Sequence, residues 1–327
     1  MDARIVYPSA LEYWLKDEGV PYRFRLPERE EALLGRKGLT TIVNALNFSL
    51  PVHIAVPQSI CRMSTNNIQY HRLSEKIPEH CFIPIADHVL VSSPAMCFLQ
   101  AANELSFHEL VKLACDLCAI YVLDKHEEFG QRRRDQIVTV KEISDFLSKI
   151  KNIRGINKAQ AAIRYASDCS NSPVESQLAT LAGMPFHYGA YGLLLPEMNR
   201  EVSLSPAGKD YLGRDTCCCD MVWEKQKVVL EYDSDLAHST LRQIKKDKNR
   251  VAALSVSGYR VISVTSEKIA DFRAVESLFM GIREALGMRS YPDRMEKYFE
   301  KRWEVVHDLM FKDRPKQPPI TRLFQLA

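Results

Sequence analysis

The segment from Asp220 to Thr265 constrains the fold of this chain more than any other part of the sequence. It reads DMVWEKQKVVLEYDSDLAHSTLRQIKKDKNRVAALSVSGYRVISVT. Two apolar runs, Thr216–Trp223 and Val228–Asp233, are separated by a hairpin-length connection and predict two neighbouring strands. A basic helix from about Thr240 to Val256 follows, and a glycine ends it before a fully apolar strand, Tyr259–Thr265. This order of elements predicts an α/β domain.

Acidic side chains lie on both of the neighbouring strands. Glu231 and Asp233 project from one face because strand side chains alternate, while Tyr232 points to the other face. The short hairpin allows Asp220 to lie near Glu231. Mg²⁺ prefers octahedral oxygen ligation by few carboxylates and several waters, which these groups could supply. A metal of this kind polarises a phosphate and lowers the pKa of an attacking water.

Histidine and basic residues follow the acids. His238 lies where the chain enters the basic helix and is a candidate general acid or base; the alternative is a surface or capping residue. The helix carries five cations next to the acids: Arg242, Lys245, Lys246, Lys248 and Arg250. Phosphate contacts dominate nucleic-acid affinity, so these residues are candidate DNA contacts, with a solvated helix face as the alternative.

A helix is expected to begin before these strands. Ser172 suits its cap, Pro173 its first position and Glu175 its first turn. Two further strands are expected at Tyr191–Leu195 and Arg200–Leu204. The segment SPAGKDYLGRD is expected to be a loop between the second of these and the strand that leads to the first acid.

Three segments together resemble a known nuclease family: SPVESQL, CDMVWEKQKVVLEYDSDLAH and KKDKNRVAALSVSGYRVISVT. They are similar to the very-short-patch-repair-like (Vsr-like) branch of the PD-(D/E)XK nuclease superfamily, and more closely to actinobacterial proteins with this endonuclease-like domain. The resemblance covers about residues 172–271. It implies a restriction-endonuclease-like mixed sheet flanked by helices, with Asp220 and Glu231 as metal ligands and Glu175 supporting the site. Asp233 stands where the wider superfamily has lysine, and Ser234 replaces the more usual glycine.

These features favour a DNA endonuclease that depends on Mg²⁺ or Mn²⁺ and acts in defence or DNA repair. In this interpretation Asp233 positions the attacking water and His238 carries the proton. The missing lysine normally stabilises the nucleophile or the charge of the transition state. The alternative is therefore a catalytically inactive DNA-binding regulator of antitoxin type.

The first 130 residues predict an α+β domain. Strands are expected in LPVHIAVP, IQYHRL and HVLVSS, and helices from Pro94 and over about Phe107–Leu123. Roughly residues 45–123 resemble the C-terminal region of AbiEi-type abortive-infection antitoxins. Ser93 and Pro94 match that family's motif, whereas its later Arg-Thr and Asp are replaced here. The resemblance implies a toxin or defence-system partner.

A polar connection, DKHEEFGQRRRDQ, follows this domain and contains Arg132, Arg133 and Arg134. A solvated linker is the first expectation for it, and a phosphate contact is the alternative. Helices are expected near Val140–Ile150 and Lys158–Ala166. The expected division of the chain is an antitoxin-like domain at 1–130, a helical connection at 131–171, a nuclease-type domain at 172–288, and a charged helix with a proline-rich tail at 289–327.

Composition sets the remaining limits. Hydrophobic residues make up 46% of the chain and charged residues 26%, as in globular proteins. The net charge of +3 requires DNA binding to rest on local patches. No apolar run approaches the roughly 20 residues of a membrane span, and no export pattern begins the chain, so a cytoplasmic protein is expected.

The nine cysteines are expected to be thiols, with Cys115 and Cys118 packed in a helix and Cys217–Cys219 on alternating strand faces.

Overall fold

The computed structural model has a mixed α/β architecture. It describes residues 3–15, 48–56, 64–72, 77–86, 89–124, 126–127, 130–233 and 241–311, with the backbone alone at 241–246. The chain divides into two compact units, Met1–Arg164 and Tyr165–Ala327, here called unit 1 and unit 2. The sequence-based division placed a separate connection at 131–171, whereas the boundary between the units lies inside that segment.

Unit 1 contains a mixed five-stranded sheet with the order β3-β2-β1-β5-β4. Its strands are β1 (Ala3–Ile5), β2 (Val52–Val56), β3 (Ile68–Arg72), β4 (Phe82–Ala86) and β5 (Val89–Ser92). Strands β2, β3 and β5 lie where apolar runs predicted them. The prediction missed β4 because it contains Pro84, which removes a ladder donor; the strand tolerates it at the edge of the sheet.

Three of the described helices of unit 1 begin at a serine or threonine whose side chain caps the helix. The helices are α1 (Ser9–Leu15), α2 (Pro94–Ala101), α3 (Phe107–Leu117), α4 (Val140–Lys149) and α5 (Ile156–Ala162). Ser106 caps α3 and Thr139 caps α4, each in a reciprocal capping box with a glutamate three residues later. The expected helix through Leu123 instead ends at Leu117, because the chain then forms strand β6 (Tyr121–Leu123).

The arginine-rich connection is folded onto unit 1, so the solvated-linker expectation was wrong. Strand β7 (Gln131–Arg133) pairs with β6 in an antiparallel hairpin. Arg132 lies 3.4 Å from a carboxylate oxygen of Asp124. Arg134 donates to the carbonyl oxygens of Trp14 and Asp116, and these two hydrogen bonds connect the hairpin to α1 and α3. Helices α4 and α5 pack on α2 and α3 and complete the unit.

Unit 2 is built around a four-stranded mixed sheet with the order β11-β10-β9-β8. Strands β8, β9 and β10 form an antiparallel meander, and β11 pairs in parallel with β10. The strands are β8 (Glu197–Ser203), β9 (Thr216–Trp223), β10 (Val228–Asp233) and β11 (Arg260–Thr265). The helices are α6 (Pro173–Gly183), α7 (Pro206–Leu212), α8 (Leu241–Val256), α9 (Phe272–Ala285), α10 (Pro292–Lys297) and α11 (Phe299–Met310).

Helix α8 connects the two parallel strands and covers one face of the sheet. Parallel strands require such a crossover, whereas β9 and β10 need only a short turn. The core beneath α8 consists of Val202, Leu204, Cys217, Cys219, Val222, Val229, Ala253, Leu254 and Tyr259. The helix ends before Gly258, whose φ of 87° lies in the left-handed region.

Two local expectations in unit 2 were wrong. Tyr191–Leu195 forms no strand; the backbone N–H groups of Tyr191 and Leu193 instead donate to carbonyls at the end of α6. The expected loop SPAGKDYLGRD contains helix α7, which Ser205 caps. Gly208 allows α7 to approach α8, because a Cβ there would lie 2.7 Å from the carbonyl oxygen of Ala253.

The cysteines follow the predicted pattern. Cys115 and Cys118 are buried at the end of α3. On β9, Cys217 and Cys219 are buried while Cys218 is exposed, as strand alternation requires. Every cysteine among the described residues is a free thiol. Within the described helices, none is long and apolar enough to cross a bilayer.

Candidate active site

Asp220 and Glu231 lie opposite each other on adjacent antiparallel strands. The register pairs Leu230 with Met221, and one further step along the strands sets Glu231 against Asp220. Directly opposed residues project from the same face and have neighbouring Cβ atoms. One Asp220 carboxylate oxygen also accepts the backbone N–H of Tyr232 at 2.8 Å. The structure therefore brings together the two acids that the sequence predicted as a pair.

Glu175, in the first turn of α6, supplies a third carboxylate, and this one is buried. Its side chain is held by three donors: the Asn171 backbone N–H at 2.9 Å, the Asn199 amide at 2.6 Å and the Ser172 hydroxyl at 3.0 Å. Ser172 caps the same helix. Burial raises the pKa of Glu175, and the negative charge of Asp220 raises it further, so the two carboxylates lie close enough to interact. The structure therefore places Glu175 near Asp220, and its supporting role stays a prediction.

Asn199 is a member of the site that the sequence did not reveal. It lies on β8 in a left-handed conformation with φ of 46°, which asparagine tolerates better than most residues. Its amide nitrogen donates to Glu175 and also to the carbonyl oxygen of Cys169 at 2.9 Å. Asn199 thus fixes one Glu175 oxygen. An asparagine in a strand is a weak signal, and nothing else in the pattern singled it out.

Arg250 points into the acid cluster. Its guanidinium lies 2.6 Å from Glu231 Oε2 and donates to the carbonyl oxygen of Cys218. The sequence-based interpretation placed Arg250 among the phosphate contacts, whereas its side chain is engaged by Glu231 in this structure. Helical spacing could not reveal this contact, because it depends on how α8 crosses the sheet.

The electrostatics of the cluster favour bound protons. Burial, together with the charge of Asp220, raises the pKa of Glu231 to about 8, although Arg250 opposes this shift. Burial raises the pKa of Glu175 to about 7, and it also raises the pKa of Asp220. One guanidinium cannot balance three buried carboxylates. We therefore expect the cluster to hold at least one proton near neutral pH and to titrate as a coupled set.

The donor set can be compared with the needs of a divalent metal. Among the described residues, no group of three or more His, Cys, Asp or Glu side chains is arranged to hold a metal ion. Glu231 Oε1 is nevertheless buried without a hydrogen-bond partner among those residues. A buried charged oxygen without a partner is unfavourable unless a cation or proton compensates it. Two carboxylates with completing waters are a normal protein contribution to a Mg²⁺ site, so Asp220 and Glu231 fit one.

The remaining predicted residues are placed only in part. Asp233 ends β10, and its charge contributes to raising the pKa of Asp220, so it borders the cluster. Lys248 is exposed on α8. His238 and Ser234 lie outside the described residues, and so do the side chains of Arg242, Lys245 and Lys246.

Comparisons with models of known families, with curated proteins and with solved structures found no match to this chain.

Proposed function

We propose that unit 2 is a metal-dependent endonuclease that hydrolyses phosphodiester bonds of DNA. The observation that carries this proposal is the facing pair Asp220 and Glu231, partly buried on the two inner strands of the sheet, with one Glu231 oxygen that has no hydrogen-bond partner among the described residues. Buried acids with raised pKa values are concentrated at functional sites because burial without a role is unfavourable.

Each residue of the cluster has a distinct part in this proposal. Asp220 and Glu231 would hold Mg²⁺ or Mn²⁺, which when bound supplies Lewis-acid polarisation of the scissile phosphate. Glu175, which is held by the amide of Asn199, would orient Asp220 through its charge. Asp233, the last residue of β10, would position the attacking water. His238 would carry the proton, as expected from the sequence.

The order of elements supports the proposal. Helix α6, the meander β8–β9–β10, the crossover helix α8 and the parallel strand β11 form a mixed sheet flanked by helices. This is the organisation that the resemblance to Vsr-like PD-(D/E)XK nucleases implied. We propose that unit 2 has that restriction-endonuclease-like fold. Action in defence or DNA repair, with a toxin or defence-system partner, remains part of the same proposal.

One observation favours the alternative of a DNA-binding regulator without catalysis. The Arg250 guanidinium is bound directly to Glu231 and supplies a positive charge at the place where a metal would act. A metal must therefore share Glu231 with Arg250 or displace it. If the ion pair persists in solution, the cluster would be structural.

Incubation of the full chain with supercoiled plasmid and Mg²⁺ or Mn²⁺ tests the proposal. We expect nicking or linearisation by the wild type, and loss of about a hundredfold or more in Asp220→Asn and Glu231→Gln, since each removes a charged metal ligand. Glu201→Gln is the matched control, because Glu201 is an exposed acid on the neighbouring strand β8.

The result that would overturn the enzyme proposal is DNA that stays intact with the wild type in both metals. Binding of that DNA, measured by gel shift, would then favour the regulator. Cleavage by wild type, Asp220→Asn and Glu231→Gln at equal rates would place the chemistry elsewhere.

A further inference from the structure

Unit 1 contains a cleft of about 530 Å³ that the proposed nuclease site does not involve. It lies between the ends of β1–β3, the C-terminal end of α2 and the loop before α5. Its volume is in the range of small-molecule sites in proteins, about 300–1,000 Å³.

The inner wall of the cleft is apolar. Ile77 and Ile153 are half-buried and line it, and the almost fully buried Met96 and Leu99 of α2 lie beneath them. A wall of this kind provides a surface for a ring or hydrocarbon portion of a ligand, because burying apolar area is favourable.

The rim of the cleft is polar and carries charge of both signs. Arg72 at the end of β3 and Arg154 before α5 are exposed cations, and Glu104 beyond α2 is an exposed acid. Two guanidiniums at one opening suit a phosphate, since each offers forked donors to its oxygens. The single carboxylate suits a hydroxyl or amino donor on the same ligand.

The loop that carries Arg154 is held in a defined conformation. Asn152 adopts a left-handed conformation with φ of 57°, and Gly155 one with φ of 86°. A Cβ at Gly155 would lie 3.1 Å from the side-chain oxygen of Asn103, which also lines the cleft. The rim is thus packed closely against the end of α2, and Arg154 is presented from an ordered turn.

A histidine pair orders the opposite side. His53 Nδ1 and His71 Nε2 lie 2.8 Å apart, and their rings are stacked with centroids 4.9 Å apart. Burial lowers the pKa of both rings, so the positive charge of the rim near neutral pH comes from the arginines. His71 lines the cleft, and its bond to His53 fixes the plane of the ring.

We propose that this cleft binds a nucleoside monophosphate, with its phosphate on Arg72 and Arg154, its ribose hydroxyls toward Glu104 and its base along the apolar wall that includes Ile153. The combination of two cations, one acid and an apolar wall matches these three parts of the ligand. The site belongs to unit 1 alone and does not depend on the acid cluster of unit 2.

Isothermal titration of the full chain with the common nucleoside monophosphates tests this inference. We expect saturable binding of at least one of them, and roughly tenfold or greater weakening in Arg72→Ala and in Arg154→Ala, because each loses a charge-assisted contact. The matching nucleoside without phosphate should bind weakly for the same reason. Arg133→Ala is the matched control, since Arg133 is an exposed arginine of unit 1 that does not line the cleft.

Three outcomes would overturn the inference. One is the absence of binding by every monophosphate at millimolar concentration, and another is unchanged affinity in an Arg72→Ala, Arg154→Ala double variant. The third is equally tight binding of ribose 5-phosphate or inorganic phosphate, which would remove the role of the base. Glu231→Gln should leave the affinity unchanged, so this experiment can succeed or fail independently of the nuclease proposal.

Discussion

Replacing Glu175 by glutamine tests whether the acid cluster is electrostatically unfavourable to the fold. The change removes the charge but keeps the shape of the side chain. The glutamine oxygen can accept from the Asn171 backbone and the Asn199 amide, and the Ser172 hydroxyl can turn to accept from the new amide. The effect of the substitution should therefore be mainly that of the lost charge.

The magnitude follows from the pKa of Glu175, which is about 7 in the folded protein against an ordinary value of 4.5. The folded state binds the proton more tightly, so this group contributes most to stability below about pH 4.5, and that contribution is lost as pH rises to about 7. Each pKa unit corresponds to about 1.36 kcal/mol, which gives a loss of about 3 kcal/mol. Glu175→Gln should match the wild type near pH 4.5 and be about 3 kcal/mol more stable at about pH 8.

Urea unfolding between about pH 5 and pH 8 measures this difference. Fluorescence in a Trp14→Phe background reports unit 2 alone, because its tryptophans are Trp223 and Trp303. Glu142→Gln is a matched control, since Glu142 is likewise the third residue after the cap of its helix, α4, but is exposed, with its pKa lowered by hydrogen bonds from Thr139. It should leave the transition of unit 2 unchanged.

A Glu175→Gln variant that is less stable than wild type at about pH 8, or a difference that does not vary with pH, would refute the reasoning. The first result would mean that the three hydrogen bonds require the charge. The second would mean that Glu175 is ionised throughout this range. If the proposed nuclease role is right, Glu175→Gln should cleave plasmid more slowly than the wild type and be more stable than the wild type. Such a combination is expected where active-site residues reduce the stability of the fold.

Two further substitutions test packing and anchoring. Gly208→Ala should destabilise unit 2 by about 2 kcal/mol or more in thermal unfolding, because the new Cβ would clash with the Ala253 carbonyl oxygen. Gly213→Ala is the control: its Cβ would contact nothing within 4 Å, so it should cost only about 1 kcal/mol, for the positive φ at that position. Equal losses would contradict the close approach of α7 and α8. Arg134→Ala should lower the stability of unit 1 by about 2 kcal/mol, since two carbonyls lose a charged donor, and Arg133→Ala should have almost no effect. If the two arginine variants had similar effects, Arg134 would not anchor the hairpin, and the solvated-linker expectation would be right.

Much of the fold could be predicted because local signals and burial agree. Strands β9 and β10 have the predicted bounds, since each apolar run is flanked by polar or charged residues. Helix α6 begins where serine, proline and glutamate predicted it. The predictions that failed were those for short elements with atypical residues. Helix α7 lies in a polar segment and was predicted as a loop, and strand β4 contains a proline and was not predicted.

The pairing of Asp220 with Glu231 was predictable for a related reason. Strand alternation and hairpin length are local properties, and together they determine which residues oppose each other. The contacts of Arg250 and Asn199 depend instead on the crossing of α8 over the sheet and on a left-handed residue in β8. Neither is encoded in the spacing of residue types along one element.

The position of Arg250 decides how the cluster should be interpreted. A buried carboxylate group with one cation is unfavourable at neutral pH, and apolar residues of similar volume would stabilise the sheet more. Under the proposed function, the three acids serve to bind a cation and not to stabilise the fold. Arg250 would then compensate part of the charge before the metal arrives, and it would lie close to the phosphate once the metal is bound. On this proposal the ion pair and the metal site are two states of one centre. Glu231→Gln would lose both, whereas Asp220→Asn would lose the metal and keep the pair with Arg250, so metal titration combined with urea unfolding of the two variants should separate the two states.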